Sequence, residues 1–279
     1  MTKYLQRILP RLYGIYFNIL ALLSKEKVAL EAFTLFCTPR KGKILPMQTS
    51  FLEEAKHEPI TVGGKQLQTY CWQGDKETVL LIHGWESNSF RWRNLIGFLR
   101  KEGFQILAFD APAHGNSSGS ILNVPLYAEC TQHIVERYKP HYIIGHSVGG
   151  MTGVYHQYLH PKTSIRKIVT IGSPSDLYDI MLQYQKILRF SNRVLLSLDV
   201  YFKTHFGFGI HDFSTADYAK EITIPGLIVH DELDAVAPFK ASEKVHANWK
   251  NSRLIKTTGL GHSMHQQEVN EQIVHFLKS

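Results

Sequence analysis

The sequence predicts an α/β protein with a mostly parallel central sheet flanked by helices, and two observations predict it. From about residue 57, short apolar runs typical of buried strands alternate with segments of helical spacing. One of these runs, Tyr142-Ile143-Ile144, leads directly into Gly145-His146-Ser147-Val148-Gly149, and a Gly-x-Ser-x-Gly pattern is typical of a sharp turn from strand to helix. Helical crossovers join parallel strands, so we expect ligands at the carboxyl ends of the strands.

Composition sets the outer bounds of the interpretation. The 279 residues suffice for one domain with an insertion. The net charge of +7 permits attraction to an anionic membrane, but no basic run of five or more residues predicts nucleic acid binding. Cys37, Cys71 and Cys130 are widely spaced, which predicts reduced thiols in a cytoplasmic chain rather than disulfides or a zinc site. No cofactor or oligomeric state is predicted.

The first 25 residues predict an amphipathic helix. Its apolar side chains recur at helical spacing, and its polar side is predicted to carry Lys3, Arg7, Arg11, Asn18 and Lys25. The uncharged stretch 12–24 is too short to span a bilayer, and no small-residue cleavage site follows it. Three interpretations stay open: a helix packed on its own domain, peripheral contact with a membrane or a partner through residues 1–25, and a cleaved signal. A second helix is predicted over 27–36, ending before Pro39.

The elements after residue 56 are predicted in order. Apolar or alternating runs predict strands at 60–62, 66–72, 79–83, 104–109, 142–146, 165–171, 227–230 and 253–256. The first two strands flank Gly63-Gly64, which predicts a hairpin. Helical spacing predicts helices at 89–101, 126–138, 148–159 and 263–277.

The alternation stops between residues 176 and 219. This segment has helical stretches at 177–188 and 194–206 and no convincing strand. Its place after a strand end favours a helical cap beside the serine over an ordinary set of helices packed elsewhere. The predicted domains are an N-terminal helical extension at 1–56, a core at 57–174 and 222–279, and a cap at 175–221.

The pattern around Ser147 predicts a nucleophile with partners further along the chain. A serine hydroxyl needs an adjacent base, and a histidine base needs a carboxylate to orient it. The turn after strand 227–230 carries Asp231 and Asp234, and the loop after strand 253–256 ends at His262. The order serine, acid, late histidine fits a sheet of this kind.

These residues resemble the α/β-hydrolase superfamily over about residues 57–279. The matching motifs are His83-Gly84-Trp85, the loop from Asp110 to Ser117, the turn at Ser147, the acid turn ending at Asp234, and the Gly-x-Gly-His loop ending at His262. The resemblance implies the α/β-hydrolase fold with a helical cap insertion. It also implies that Ser147 is the nucleophile, His262 the base, and Asp234 its orienting acid, with the N–H groups of Trp85 and Val148 as the oxyanion hole. Ala113 departs from the family's usual glycine.

Other assignments stay open beside these. Asp231 and Asp176 are rival acids, whereas Asp110, His114 and His83 have structural roles in the family, and His146 is expected to be a packing neighbour. Trp85, Phe239 and Met264 are candidates to line the substrate pocket or to belong to the core. His230, His262 and His265 lack metal-ligand spacing, so no metal is predicted.

The implied activity is hydrolysis of a carboxylic ester with a small to medium apolar acyl group, through an acyl-enzyme. The predicted partner is a small-molecule ester, with no nucleic acid. A thioesterase, a peptidase or another acyl-transfer enzyme with the same three residues is the alternative within the enzyme class. A non-catalytic ligand-binding protein of the same fold is the alternative outside it. A cytoplasmic location is predicted, with peripheral attachment to a membrane as a further option.

Overall fold

The computed structural model describes the backbone of residues 3–279 and the side chains from residue 8 onward. The chain divides into two compact units, Met1–Thr38 with Asp176–Ser214, and Pro39–Ser175 with Thr215–Ser279. The first unit therefore joins the N-terminal helices to the segment predicted as a cap, a grouping that the sequence did not indicate. The prediction that this segment covers the site stays a prediction.

The second unit is built on one eight-stranded sheet. Its strands are β1 (Lys56–Val62), β2 (Lys65–Trp72), β3 (Thr78–Ile82), β4 (Gln105–Phe109), β5 (Tyr142–His146), β6 (Lys167–Ile171), β7 (Gly226–Asp231) and β8 (Ser252–Thr257). They lie in the order β1-β2-β4-β3-β5-β6-β7-β8. The β1–β2 and β2–β4 pairs are antiparallel, and the other pairs are parallel. The predicted mostly parallel sheet is confirmed.

The helices are α1 (Lys3–Leu23), α2 (Lys25–Cys37), α3 (Pro46–Glu53), α4 (Arg93–Lys101), α5 (Val124–Tyr138), α6 (Val148–Leu159), α7 (Leu177–Leu188), α8 (Asn192–Phe206), α9 (Thr215–Tyr218), α10 (Phe239–Asn248) and α11 (Gln267–Lys278). Apolar cores cover both faces of the sheet. Val79 and Leu81 face the core under α4 and α11, whereas Leu80 and Ile82 face the core under α5 and α10. Because both faces are covered, β3 reads as a continuous apolar run.

Two predictions about helix boundaries are wrong. The last helix begins at Gln267, because Met264 has a φ of 45° and interrupts helical backbone in the segment predicted to start at residue 263. Lys25 does not extend the polar side of the first helix. Helix α1 ends at Leu23, and the Ser24 hydroxyl caps α2 by accepting a hydrogen bond from the Lys27 N–H at 3.2 Å.

In the first unit, α1 packs by the arc that carries Phe17, Leu20 and Ala21, which are buried. Phe33 of α2 contacts the rings of Tyr201, Phe202 and Phe206 on α8. On the apolar side that the sequence predicts for α1, the exposed side chains are Leu12, Ile15, Tyr16, Ile19, Leu22 and Leu23. The side chains of Lys3, Leu5 and Arg7 lie outside the described residues. No helix among residues 3–279 has a stretch long and apolar enough to cross a membrane.

Candidate active site

Ser147 occupies a strained turn between β5 and α6. Its backbone has φ 54° and ψ −124°, a conformation that non-glycine residues rarely adopt. The flanking glycines allow the close packing that this turn needs. A Cβ at Gly145 would lie 2.4 Å from the Gly149 carbonyl oxygen, and a Cβ at Gly149 would lie 2.1 Å from the Ile82 carbonyl oxygen. The geometry is that of a nucleophile elbow.

His262 and Asp234 form a short hydrogen-bonded pair. The His262 Nδ1–H donates to Asp234 Oδ2 at 2.7 Å. The other carboxylate oxygen of Asp234 accepts hydrogen bonds from the N–H groups of Val236 and Ala237 at 2.7 and 3.1 Å. Because the carboxylate is buried and fixed by its own turn, it holds the imidazole in the tautomer that leaves Nε2 free to accept a proton.

The pair lies beside the Ser147 turn. The Ser147 N–H donates to the Ile171 carbonyl at 2.8 Å. A Cβ on the next residue, Gly172, would lie 3.2 Å from the His262 carbonyl oxygen and 3.4 Å from Asp234 Oδ2. The three predicted residues Ser147, Asp234 and His262 therefore meet at the carboxyl ends of β5 to β8.

His146 forms a direct hydrogen bond between the elbow and the loop that ends at His262. Its Nε2–H donates to the main-chain carbonyl of His262 at 2.9 Å. The two imidazole rings meet nearly edge to face, with their centroids 4.7 Å apart. Burial lowers the pKa of His146 well below its usual value, so the ring is neutral and Nδ1 carries no proton. The predicted packing neighbour of the serine is thus a hydrogen-bonding partner of the histidine loop.

The turn after β3 brings Gly84 and Trp85 next to the serine. A Cβ at Gly84 would lie 3.0 Å from Ser147 Cβ. This turn is held by His83, whose Nδ1–H donates to the Gly84 carbonyl at 2.8 Å and whose Nε2 accepts from the Ala111 N–H at 2.9 Å. Burial lowers the pKa of His83 to about 3, so the ring stays neutral and keeps both bonds.

Two further polar residues brace the same region. His114 donates from Nδ1 to the Pro112 carbonyl at 2.9 Å and accepts the Glu86 N–H at Nε2, 3.0 Å away. The buried Asp110 accepts hydrogen bonds from the Ser89 N–H and hydroxyl, the Tyr70 hydroxyl and the Asn116 N–H. Ala113, at the position where the superfamily usually has glycine, has a φ of 67°, which explains the family's preference.

The two aspartates of the acid turn have different partners. Asp231 accepts the Thr257 hydroxyl at 2.9 Å and the Leu260 N–H at 2.8 Å. Burial opposes its charge, but these hydrogen bonds outweigh burial and lower the pKa of Asp231 below its usual value. Asp231 therefore fastens the β7 turn to the loop after β8, whereas Asp234 contacts His262. Asp176, the third candidate, belongs to the first unit.

His230, which the sequence analysis considered only as a metal ligand, contacts the acid of the site. Its Nε2 lies 2.8 Å from the Ala237 carbonyl oxygen and 3.3 Å from Asp234 Oδ2, and its Nδ1 lies 2.6 Å from the Ser242 hydroxyl. Burial lowers its pKa, so a neutral Nε2–H faces the acid. Its position at the end of β7, just before the acid turn, was the available signal. Within residues 3–279, no cluster of three His, Cys, Asp or Glu side chains could hold a metal ion.

The three predicted pocket residues differ in placement. Met264 is buried, and its methyl carbon would lie 2.9 Å from a Cβ at Gly172. The Phe239 ring meets His230 edge to face, with their centroids 5.8 Å apart. Trp85 is the most exposed of the three and contacts the ring of His114. Met264 and Phe239 thus lie around the acid–histidine pair, and Trp85 lies on the turn beside the serine.

Comparison with known proteins fits this architecture. Residues 77–193 match the family described as alpha/beta hydrolase fold, and the sheet order and the elbow lie where that fold has them. The chain resembles the α/β-hydrolase superfamily over residues 77–193 and has the α/β-hydrolase fold.

The proteins that this chain resembles include named enzymes. It is 28% identical over 260 residues to a bifunctional esterase/perhydrolase of Acinetobacter calcoaceticus, a match that covers 74% of this chain and 93% of the relative. It is 24% identical to a non-heme haloperoxidase of Rhodococcus erythropolis, with 74% and 94% of the two chains covered. Among solved structures, an esterase from Exiguobacterium antarcticum superposes with a TM-score of 0.64 at 20% identity, covering 80% of this chain and all of the esterase. That likeness shows the fold.

Proposed function

We propose that this protein is a serine hydrolase that cleaves carboxylic esters with small to medium apolar acyl groups through an acyl-enzyme. One observation carries the proposal: the buried Asp234 holds His262 at 2.7 Å, next to a serine on a strained elbow. A short acid–histidine pair beside a serine is the arrangement that makes a hydroxyl nucleophilic at neutral pH.

In the acylation step, Ser147 Oγ attacks the ester carbonyl while His262 Nε2 takes the hydroxyl proton. Asp234 stabilises the imidazolium that forms, and it stays ionised throughout. The tetrahedral intermediate collapses when His262 returns the proton to the departing alcohol oxygen. A water molecule, activated by the same imidazole, then attacks the acyl-enzyme and releases the carboxylic acid.

The negative charge that develops on the carbonyl oxygen needs fixed donors. We assign this role to the N–H groups of Val148 and Trp85. Val148 is the first residue of α6, so its N–H has no partner within the helix and lies at the positive end of the helix dipole. The neutral His83 and His114 hold the turn that carries Trp85. Each such donor contributes about 3 kcal/mol to lowering the barrier.

The substrate assignment is supported by apolar residues near the acid–histidine pair and by the relatives. Met264 and Phe239, together with Trp85, supply the apolar surface that an acyl chain needs. One curated relative is named an esterase/perhydrolase, which favours an oxygen ester over an amide or a thioester. A non-catalytic role for the fold has no comparable support, because the acid–histidine pair and the elbow are both intact.

A fluorophosphonate probe tests the proposal, since it reacts only with an activated serine. We expect the wild type to be labelled and Ser147→Ala to be unlabelled, with kcat for p-nitrophenyl esters at least about 10⁴-fold lower. Ser173→Ala, just beyond β6, is the control and should keep labelling. Wild type that resists the probe, or equal labelling of Ser147→Ala, would refute the assignment. Esters of graded chain length, and matched thioesters and amides, then locate the preferred acyl group.

A further inference from the structure

Helix α1 leaves an unusual apolar surface uncovered. Leu12, Ile15, Ile19, Leu22 and Leu23 are between 54% and 79% exposed. Their spacing places them on a single arc of the helix, which Tyr16, also exposed, borders. We call these five side chains the α1 ridge. A continuous stripe of large exposed aliphatic groups is rare on a monomeric protein and marks an interaction surface.

The opposite side of the helix packs on the first unit, so the ridge faces away from that unit. Phe17, Leu20 and Ala21 are buried on the other side. At Gly14 the helix approaches α7 so closely that a Cβ would lie 1.8 Å from the Leu188 carbonyl oxygen. Asn18 accepts a hydrogen bond from the Ser191 N–H at 2.7 Å. The helix is therefore held between Gly14 and Ala21 with the ridge outward.

The charges around the ridge have one predominant sign. Helix α1 contains no acidic residue from Lys3 to Leu23. Arg11 is exposed at the edge of the ridge arc, and Lys25 and Lys27 are exposed where α2 begins beyond Leu23. Arg189 is exposed where α7 ends, and its carbonyl accepts from the Asn18 side chain. Two acidic residues of α2 also lie here: Glu26 is exposed between Lys25 and Lys27, and Glu31 accepts a hydrogen bond from the Tyr16 hydroxyl at 2.6 Å, so the basic residues remain in excess.

We propose that the α1 ridge docks on the surface of an anionic lipid bilayer. The five aliphatic side chains enter the boundary between headgroups and acyl chains, while Arg11, Lys25, Lys27 and Arg189 contact the lipid phosphates. The net positive charge around the ridge favours this occupant over a second copy of the chain, because two apposed ridges would bring two surfaces of the same net sign together. The docking is independent of the proposed ester hydrolysis.

Co-sedimentation of the full chain with vesicles tests the docking. We expect binding to vesicles of phosphatidylcholine with phosphatidylserine, and binding at least about tenfold weaker to phosphatidylcholine alone. The double variant Ile15→Glu/Ile19→Glu should lower the partition coefficient by roughly 100-fold, since two carboxylates would have to enter the bilayer boundary. The triple variant Arg11→Gln/Lys25→Gln/Lys27→Gln should lower it roughly fivefold per charge on anionic vesicles only.

The matched control is Leu196→Glu/Val200→Glu, a pair with the same spacing that is also exposed, but on α8. It should bind vesicles like the wild type. Ile15→Gln/Ile19→Gln repeats the ridge change without added charge, and circular dichroism checks that each variant is folded. Absence of wild-type binding, or equal loss in the α8 control, overturns the proposal. So does a dimer in sedimentation velocity that the ridge variants dissociate. Ser147→Ala should bind like the wild type, which separates docking from hydrolysis.

Discussion

The carboxyl edge of the sheet has two halves that use histidine in opposite ways. After β3, His83 is fully buried and bonds main-chain groups through both ring nitrogens. After β8, His262 bonds Asp234 through Nδ1, and its side chain is 19% exposed. The first ring is fixed in one protonation state by burial, which lowers its pKa to about 3. The second has its Nε2 left for the proton transfer that the proposed mechanism needs.

The difference shows how to distinguish a bracing residue from a reacting one. His83, His114 and Asp110, which we call the braces, form their hydrogen bonds with other groups of the protein. In the proposed reacting half, His262 and the strained Ser147 are only partly buried and keep capacity for a ligand. Substitutions in the reacting half should therefore change rate, whereas substitutions among the braces should change stability.

The two aspartates of the acid turn give the largest expected contrast. Asp234→Asn should lower kcat by about 10⁴-fold, because an amide facing His262 Nδ1 favours the wrong tautomer. Asp231→Asn should leave kcat within a few fold but lower the free energy of unfolding by about 1–3 kcal/mol, since Leu260 and Thr257 lose an ionised acceptor. Steady-state kinetics and urea unfolding of both variants measure this. Similar rate losses in the two variants would contradict the division.

His146 lies between the two halves, and its substitution sharpens the comparison. His146→Phe removes the donor to the His262 carbonyl, so the imidazole should lose its fixed position. We expect kcat to fall by about 10- to 100-fold with KM nearly unchanged. His146→Gln, whose amide can reach the same carbonyl, should recover most of the rate. If the Phe and Gln variants behaved alike, the hydrogen bond would have no positioning role.

The buried neutral histidines make stability depend on pH. The pKa is lowered to about 3 by burial in both His83 and His156, whereas the unfolded chain protonates them near their usual value of about 6.5. The unfolded state thus binds more protons between these values, so stability is full above pH about 6.5 and is lost as the pH falls toward 3. Each histidine contributes a slope of up to about 1.4 kcal/mol per pH unit.

Urea unfolding at a series of pH values measures this slope. His156→Gln provides the control, because it removes one of the two groups at a position on α6, away from the turns that brace the site. The variant's profile should be flatter than that of the wild type. A free energy of unfolding that stays constant from pH 7 to pH 4 would contradict the assignment of neutral buried rings.

The smallest expected effect is at Ala113, among the braces. Its positive φ of 67° strains an alanine but not a glycine. Ala113→Gly should raise the free energy of unfolding by up to about 1 kcal/mol, partly offset by the greater entropy of the unfolded chain. The kcat should not change. Thermal melting of the two proteins is sufficient to detect it, and a destabilised glycine variant would argue against strain at this position.

Much of the sheet and of the candidate site could be predicted because the signals are local. The Gly-x-Ser-x-Gly turn, the acid turn and the late histidine each follow an apolar strand, so topology brings them to one edge. The pairing of N-terminal helices with residues 176–214 joins segments far apart in sequence, and no local pattern encodes it. In α1, Phe17 and Leu20 on one arc and Ile15 and Ile19 on another are all apolar, so periodicity alone could not tell which arc is buried.

The close packing at Gly145 and Gly149 determines which substitutions the turn at Ser147 can tolerate. The steric demand of the elbow falls on the two flanking residues, whose Cβ atoms would collide with main-chain oxygens. The backbone demand at position 147 is the positive φ of Ser147, whose torsional cost is much the same for any L-amino acid that is unbranched at Cβ. A cysteine or an aspartate can therefore replace Ser147 at similar backbone strain, whereas Gly145 and Gly149 have no room for a side chain.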